Sequence, residues 1–337
     1  MKTYLVIRFS AMGDILLTLP VLAAACEQNP NARFIVLTRP KFSVFFEGYP
    51  QIQVLSIDVD KEYDGIKGLW KLSRQLRREQ KFESILDLHQ NIRSFFIKLF
   101  LLRSSSYTIF KGRRRKKALT RKNRKSNKIL LHSTERYARV LRKAGLKVDL
   151  NEVGQRNYFK ELEPLDLHKE SHWIGIAPFA QHEGKIWPKE YIKEVMLSIP
   201  ESSTILLFGG GDEEIYLLRQ LSVDFDNVEV IGPKYSLKQQ LSLISALDVM
   251  LCMDSGNMHL AALAGIRTVS VWGATHPNAG FGPFGSQEHN IVQVPKSELP
   301  CRPCSIYGNK PCYREDYACL HLIDVDEVSD LVNKSDT

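Results

Sequence analysis

The chain has 337 residues, 44% hydrophobic and 25% charged, which is the balance of a globular protein with enough apolar material for two domains. No run of about 20 apolar residues occurs, which excludes a membrane-spanning helix; the best candidate, Phe95 to Leu102, is too short and contains Lys98. The net charge of +8 does not describe a uniformly basic protein: Lys111 to Lys128 holds 11 lysines and arginines and no acid, which leaves −3 for the rest and implies one localised anionic partner.

Tyr4 to Phe9 is a short apolar run that ends in Ser10-Ala11-Met12-Gly13-Asp14, after which Ile15, Leu16, Leu19, Leu22 and Ala23 fall at helical spacing. That is strand, tight glycine turn and helix, the opening of a doubly wound domain, without a GxGxxG dinucleotide fingerprint. The same residues, from Lys2 to Cys26, also resemble a lipoprotein signal, but Arg8 and Asp14 interrupt what would have to be an unbroken apolar core. Further strands are expected at Phe34 to Thr38, Ile52 to Ile57 and Ser84 to Leu88, and helices at Gly65 to Arg78 and Ile92 to Leu102. The basic run Lys111 to Lys128 breaks the periodicity and reads as a mobile loop, because like charges repel and nothing apolar anchors them. A helix from Thr134 to Ala144 and an irregular linker from about Gly145 to Glu170 follow.

A second alternating series then begins. Trp173 to Ala177, Thr204 to Phe208, Val228 to Ile231, Asp248 to Met253 and Thr268 to Trp272 read as strands. Tyr191 to Ser198, Glu213 to Leu221, Leu237 to Leu247 and Asn257 to Ala264 read as helices between them, and Asp324 to Val332 as a last one. The expected architecture is α/β, with two Rossmann-like domains (1–160 and 161–337) facing each other across a cleft.

The stretch from Val249 to His259 carries the strongest local signal for a site. A buried strand runs into a small polar corner, where Asp254 and Ser255 stand at N-cap positions and Gly256 permits a sharp turn. Free amides and the positive end of a helix dipole suit an anion there, and His259 stands one turn further on; an ordinary capped helix start is the plainer reading. Asp14 closes the first glycine turn at a strand's carboxyl end, either as a general base or as a helix cap. Lys185 follows the first strand of the second series, a phosphate-pairing cation or a solvated loop residue. In Phe208-Gly209-Gly210-Gly211-Asp212-Glu213, Glu213 could accept hydrogen bonds from sugar hydroxyls or simply favour a helix start. Trp272 to Gly285 is a glycine- and proline-containing loop of the kind that walls binding sites or merely lies on the surface.

Taken together and in this order, RFSAMGDILLTLP, KIWP, FGGGDEE and DSGNMHLAALAG resemble glycosyltransferase family 9, the bacterial heptosyltransferases of lipopolysaccharide assembly. The resemblance implies a GT-B fold and metal-independent, inverting transfer of heptose from ADP-heptose to a lipopolysaccharide inner-core or lipid A acceptor, with no cofactor. By position, Asp14 resembles the catalytic base, on a turn with Ser10 and Gly13 beside the substrate. Lys185 resembles the lysine that binds the donor diphosphate, Glu213 the acid that contacts the donor's ribose or sugar, and Asp254, Ser255, Gly256 and His259 the donor corner. Two departures stand out: Asp87-Leu88-His89-Gln90-Asn91 replaces a glutamine-glycine pair on the acceptor side, and Ala274 stands where proline is usual. The basic run would draw such an enzyme to phosphates at the cytoplasmic face of the inner membrane. A GT-B nucleotide-sugar 2-epimerase shares the architecture and would need no acceptor. A nucleic-acid binder using the basic run lacks the interleaved aromatics that stack bases.

Four of six cysteines cluster as Cys301-x2-Cys304, Cys312 and Cys319. In a cytosolic protein this spacing suggests structural zinc before disulfides, with free thiols as the alternative.

Overall fold

The computed structural model describes residues 1–337 apart from 103, 123–127, 164, 166–168, 170, 286–289 and 335–337. The chain forms two compact units. The first comprises 1–112, 132–154 and 158–161, and the second 113–131, 155–157 and 162–337.

In the first unit the elements run β1 (Lys2–Ile7), α1 (Met12–Leu16), α2 (Leu19–Gln28), β2 (Ala32–Thr38), β3 (Ile52–Ser56), α3 (Gly65–Glu79), β4 (Ser84–Asp87), α4 (Ile92–Phe100) and β5 (Ser105–Thr108). All strand pairs are parallel, in the order β3-β2-β1-β4-β5. β1, β2 and β4 are apolar and buried along nearly their whole length, as central parallel strands between helical layers must be. α3 turns Leu69, Leu72 and Leu76 inward onto Leu5, Ile7 and Ile35, and leaves its charged face to solvent. The single helix expected after the first turn is two: Pro20 has no N–H to continue α1, so the chain restarts as α2 with Pro20 in its first turn. β5 is short, polar and at the sheet edge, which is why no hydrophobic pattern marks it.

The segment Lys111 to Lys128 is not simply a loop. Its first half is helix α5 (Arg113–Leu119), its residues 123–127 lie outside the described residues, and 113–131 are grouped with the second unit rather than the first. The anchors are Lys116 and Leu119. The Lys116 ammonium lies 4.4 Å from the Phe281 ring centroid and 5.0 Å from that of Tyr307, and donates to the Tyr307 hydroxyl at 3.0 Å. Leu119 packs with Leu130 and Ala279. One inward face at a three-residue step, with a cation–π contact, offsets the repulsion among the other charges.

Helix α6 (Ser133–Lys143) returns to the first unit. The second unit continues β6 (Trp173–Ala177), α7 (Lys189–Ser198), β7 (Thr204–Phe208), α8 (Asp212–Ser222), β8 (Val228–Ile231), α9 (Leu237–Ser245), β9 (Val249–Met253), α10 (Gly256–Ala264), β10 (Arg267–Val271), β11 (Ile291–Val292), α11 (Ala318–His321) and α12 (Val325–Asn333). Its six strands are parallel, in the order β11-β10-β9-β6-β7-β8. Their core joins Ile176, Leu207, Leu251 and Val269 to Ile192 and Met196 of α7 and Val328 and Val332 of α12. Among the described residues no helix is long and apolar enough to cross a membrane.

The cysteine-rich segment shows no ready-made metal cluster among the described residues. None of the six cysteines is in a disulfide, and among the described residues no three histidine, cysteine or carboxylate side chains gather as a metal would require. Cys319 is a core residue whose burial pushes its thiol up to about 12.

Candidate active site

In an open α/β sheet, ligands bind beyond the strands' carboxyl ends where the strand order reverses. In the first unit that point lies between β1 and β4. Arg8, just past β1, ties the two strand ends together: its guanidinium donates to the Leu88 carbonyl after β4 and pairs with the Asp14 carboxylate at 2.5 Å. The other Asp14 oxygen accepts from the Tyr137 hydroxyl of α6 at 3.0 Å. Asp14 therefore does not cap α1, whose N-cap Ala11 has no side-chain bond. It is a fixed carboxylate whose side chain stays 26% exposed, on the same turn as half-buried Ser10 and Gly13. Tyr137 is buried, and burial first, then the charge of Asp14, raise its hydroxyl's pKa far above the ordinary range, so it remains a donor.

The stretch after β4 is built around Asp87, which is fully buried. It accepts from the backbone N–H groups of His89 at 3.0 Å and Gln90 at 2.7 Å, from the Ser94 hydroxyl at 3.0 Å, and pairs with the Lys98 ammonium at 2.7 Å. Asn91 and Ser94 complete a reciprocal capping box at the start of α4. This rigid turn sets His89, whose Nδ1 accepts the Phe9 N–H at 3.0 Å. An accepting Nδ1 requires a neutral ring. Burial first, then Arg8 and Lys111, hold the His89 pKa down at about 4. Its folded value thus lies below the usual 6.5, so stability from this group is complete above about pH 6.5 and is lost as pH falls through 4. We predict that His89→Gln flattens the acid side of the stability–pH curve, removing a contribution of up to about 3 kcal/mol. Denaturation midpoints from pH 7 to 4 check this, and curves of equal slope for variant and wild type would exclude it.

In the second unit the strand order reverses between β6 and β9. Lys185 follows β6, Asp254 follows β9, and their side chains meet at 3.0 Å. Both are largely buried, at 14% and 10% side-chain exposure. Asp254 thus anchors the lysine instead of capping α10. Ser255, the N-cap, makes no side-chain cap bond either, and its hydroxyl is buried with no hydrogen-bond partner among the described residues. Among the described residues no capping side chain takes the first amides of α10, and an ammonium is fixed one residue ahead of the cap. Gly256 opens the helix, and His259 is buried one turn in. Glu213 lies on the adjoining corner after β7, exposed in the first turn of α8, while its neighbour Glu214 reaches back to the Gly210 N–H at 2.7 Å.

The cysteine-rich segment holds the Lys185 loop in place. Tyr317 donates to Glu183 at 2.8 Å, Trp187 donates to the Leu320 carbonyl at 3.2 Å, and the N–H groups of Cys304 and Ser305 donate to the Ala274 carbonyl at 3.1 and 3.2 Å. Gly308, at φ +81°, lies so close to the Lys185 stem that a Cβ there would come within 2.5 Å of it, so only glycine fits. Arg302 is buried and ties the end of β10 down, donating to the carbonyls of Gly273 at 2.6 Å, Trp272 at 2.8 Å and Thr275 at 3.1 Å, and to that of Val294. Burial lowers its pKa only to about 10, so it stays charged at neutral pH.

Each unit therefore brings its own expected residues together: Ser10, Gly13 and Asp14 on one turn, and Lys185 with the Asp254–His259 corner. Asp87 and His89 stood out in the sequence only as part of a departure on the acceptor side, and Arg8, Tyr137 and Arg302 were not singled out as parts of a site. Arg8 stood out there only as a charge in an apolar run, and nothing in the sequence links Tyr137 to Asp14 across 123 positions.

Known proteins match this arrangement over most of its length. A lipooligosaccharide heptosyltransferase 2 of Campylobacter jejuni is 24% identical over 332 residues, covering 97% of this chain and 96% of that protein. A glycosyltransferase family 9 crystal structure from Veillonella parvula superposes with a TM-score of 0.71 at 19% identity, covering 97% of this chain and 95% of the other. The E. coli heptosyltransferase WaaC with ADP gives 0.66 at 21% identity, covering 86% and 92%. Both likenesses, with two parallel-sheet α/β units, identify the fold as GT-B. The model of glycosyltransferase family 9 (heptosyltransferase) matches residues 69–309, well over half of the sequence, and so the chain belongs to that family and is a glycosyltransferase.

Proposed function

We propose that the protein transfers heptose from ADP-heptose to a lipopolysaccharide inner-core or lipid A acceptor, with inversion and without a metal. The observation that carries this reading is the uncapped N-terminus of α10 beside the Lys185–Asp254 pair. A departing diphosphate needs positive charge, and a fixed ammonium with the first amides of a helix supplies it where other enzymes use a metal ion. The E. coli relative solved with ADP and the C. jejuni relative named for lipooligosaccharide are consistent with this donor and acceptor.

In this reading Asp14 takes the proton of the acceptor hydroxyl as its oxygen attacks the anomeric carbon, while Arg8 and Tyr137 hold the carboxylate in place. The bond from the anomeric carbon to the diphosphate breaks on the opposite face, and ADP leaves against Lys185 and the α10 amides. Ser255 and His259 line that corner, and Glu213 contacts the ribose or the sugar. The cations of Lys111 to Lys128 attract the enzyme to the anionic inner face of the inner membrane.

The test is transfer from ADP-heptose, alongside UDP- and GDP-sugars, to truncated lipid A–core acceptors in EDTA. Acceptor-dependent ADP release is expected. Release from ADP-heptose without acceptor would point to an epimerase or hydrolase, and release only from another nucleotide sugar would discard heptose.

A further inference from the structure

Helix α4 buries one face and leaves another without cover. Ser94 and Ile97 turn inward, and so does Leu101 just past the helix end, with Ile97 and Leu101 in the core of the first unit. Ile92, Phe95 and Leu99 recur at three- and four-residue steps along α4 and, with Leu102 two residues past its end, are 40–77% exposed, an apolar ridge. Past β5, Phe110 is exposed as well. Scattered apolar residues are ordinary on a surface, but an aligned ridge of four large ones marks a surface with a partner.

The neighbouring charges say which partner. Helix α3 packs against α4. It carries Lys67, Lys71, Arg74, Arg77 and Arg78 against one acid, Glu79, and it exposes Ile66 and Trp70. The Arg74 guanidinium lies 5.4 Å over the Trp70 ring. Apolar side chains beside a cation row, with a tryptophan among them, are the chemistry of a surface that sinks into the headgroup layer of an anionic bilayer. A second copy seated on the same ridge by two-fold symmetry would set the two cation rows against each other.

We propose that the α4 ridge, with the α3 cations, docks the first unit onto an anionic lipid bilayer. Ile92 directly follows Asn91, the cap of the turn that carries His89 beside the Arg8–Asp14 pair. Docking along α4 therefore brings that turn to the bilayer surface, where a lipid-anchored acceptor presents its sugars. This use of the ridge rests on the acceptor proposed above; the docking itself does not.

The full-length protein is sedimented with phosphatidylethanolamine vesicles containing phosphatidylglycerol, and with pure phosphatidylcholine vesicles, without donor or acceptor. Three of its four tryptophans are buried and Trp70 is half-exposed, so a blue shift in emission on adding vesicles reads docking at α3 in the unaltered protein. Binding to the anionic vesicles is expected, with the blue shift. The double variant Phe95→Ser/Leu99→Ser should lose about tenfold or more of that binding while its melting temperature and its rate on a water-soluble acceptor stay unchanged; Phe95→Ser alone serves if the double variant does not fold. Wild-type indifference to phosphatidylglycerol would overturn the proposal. So would a ridge variant that binds as wild type does, or one that turns a wild-type dimer into a monomer. Failure of transfer with every donor would refute the function and leave the vesicle result standing.

Discussion

Asp14→Ala is expected to lower the rate of transfer by about a hundredfold to ten-thousandfold, the range that general-base catalysis supplies, while donor affinity stays close to wild type. The second expectation follows from where the residue sits. Asp14 belongs to the first unit, and every group proposed to hold the donor belongs to the second. Two controls separate a missing base from a disturbed turn. Arg8 is buried and loses its carboxylate in this variant, though it keeps the Leu88 carbonyl, so some thermal stability will go. Asp14→Asn keeps the shape and can still accept from Tyr137, yet it cannot take a proton; it should be as slow as the alanine variant and more stable. Tyr137→Phe keeps the base and removes one hydrogen bond of 3.0 Å. It should cost only about threefold to tenfold, the equivalent of one net hydrogen bond. Steady-state rates with saturating acceptor, and ADP binding by calorimetry, decide the matter. Full turnover in Asp14→Asn would remove this carboxylate as the base.

The tandem α/β architecture was readable because central parallel strands are buried on both faces and therefore appear as unbroken apolar runs. Trp173–Ala177 and Thr204–Phe208 match their expected spans end to end. β5 and β11 escaped for the opposite reason: Ser-Ser-Tyr-Thr and Ile-Val are edge segments too short or too polar to show a pattern. α5 escaped because its anchoring is tertiary. Lys116 is stabilised by rings at positions 281 and 307, which no window of sequence around it contains. The candidate site divides in the same way. Asp14, Lys185 and the 254–259 corner are local features of strand-to-helix turns, and they stand out as such. What fixes them in place is not local. Arg8 and Tyr137 hold Asp14, Asp254 holds Lys185, and Gly308 gives the lysine stem its room, across separations of 6 to 123 positions. The cysteine spacing is a count of residues between thiols and carries no information about which of them the core claims. Cys319 went to the core.

Lys185→Ala is expected to reduce kcat/KM for the donor by about a hundredfold to a thousandfold, the scale on which removing one preorganised group facing a developing anion slows catalysis. The ammonium is held 3.0 Å from Asp254 in largely buried surroundings, so a diphosphate would meet it with little reorganisation and little screening by water. The rival account makes the lysine only a partner for a buried carboxylate. The two accounts differ in what Asp254→Asn does. If Lys185 serves only Asp254, the two single variants should fall together in stability and in rate, since each breaks the same pair. If Lys185 also meets the diphosphate, Lys185→Ala must weaken ADP binding and flatten its dependence on salt, because one ionic contact has gone. Asp254→Asn then leaves the ammonium present but less well fixed and should lose less than Lys185→Ala does. ADP titrations at several ionic strengths on the wild type and both variants distinguish the cases. Unchanged ADP affinity and salt slope in Lys185→Ala would reduce this lysine to a structural partner and leave the first amides of α10 as the whole of the leaving-group site.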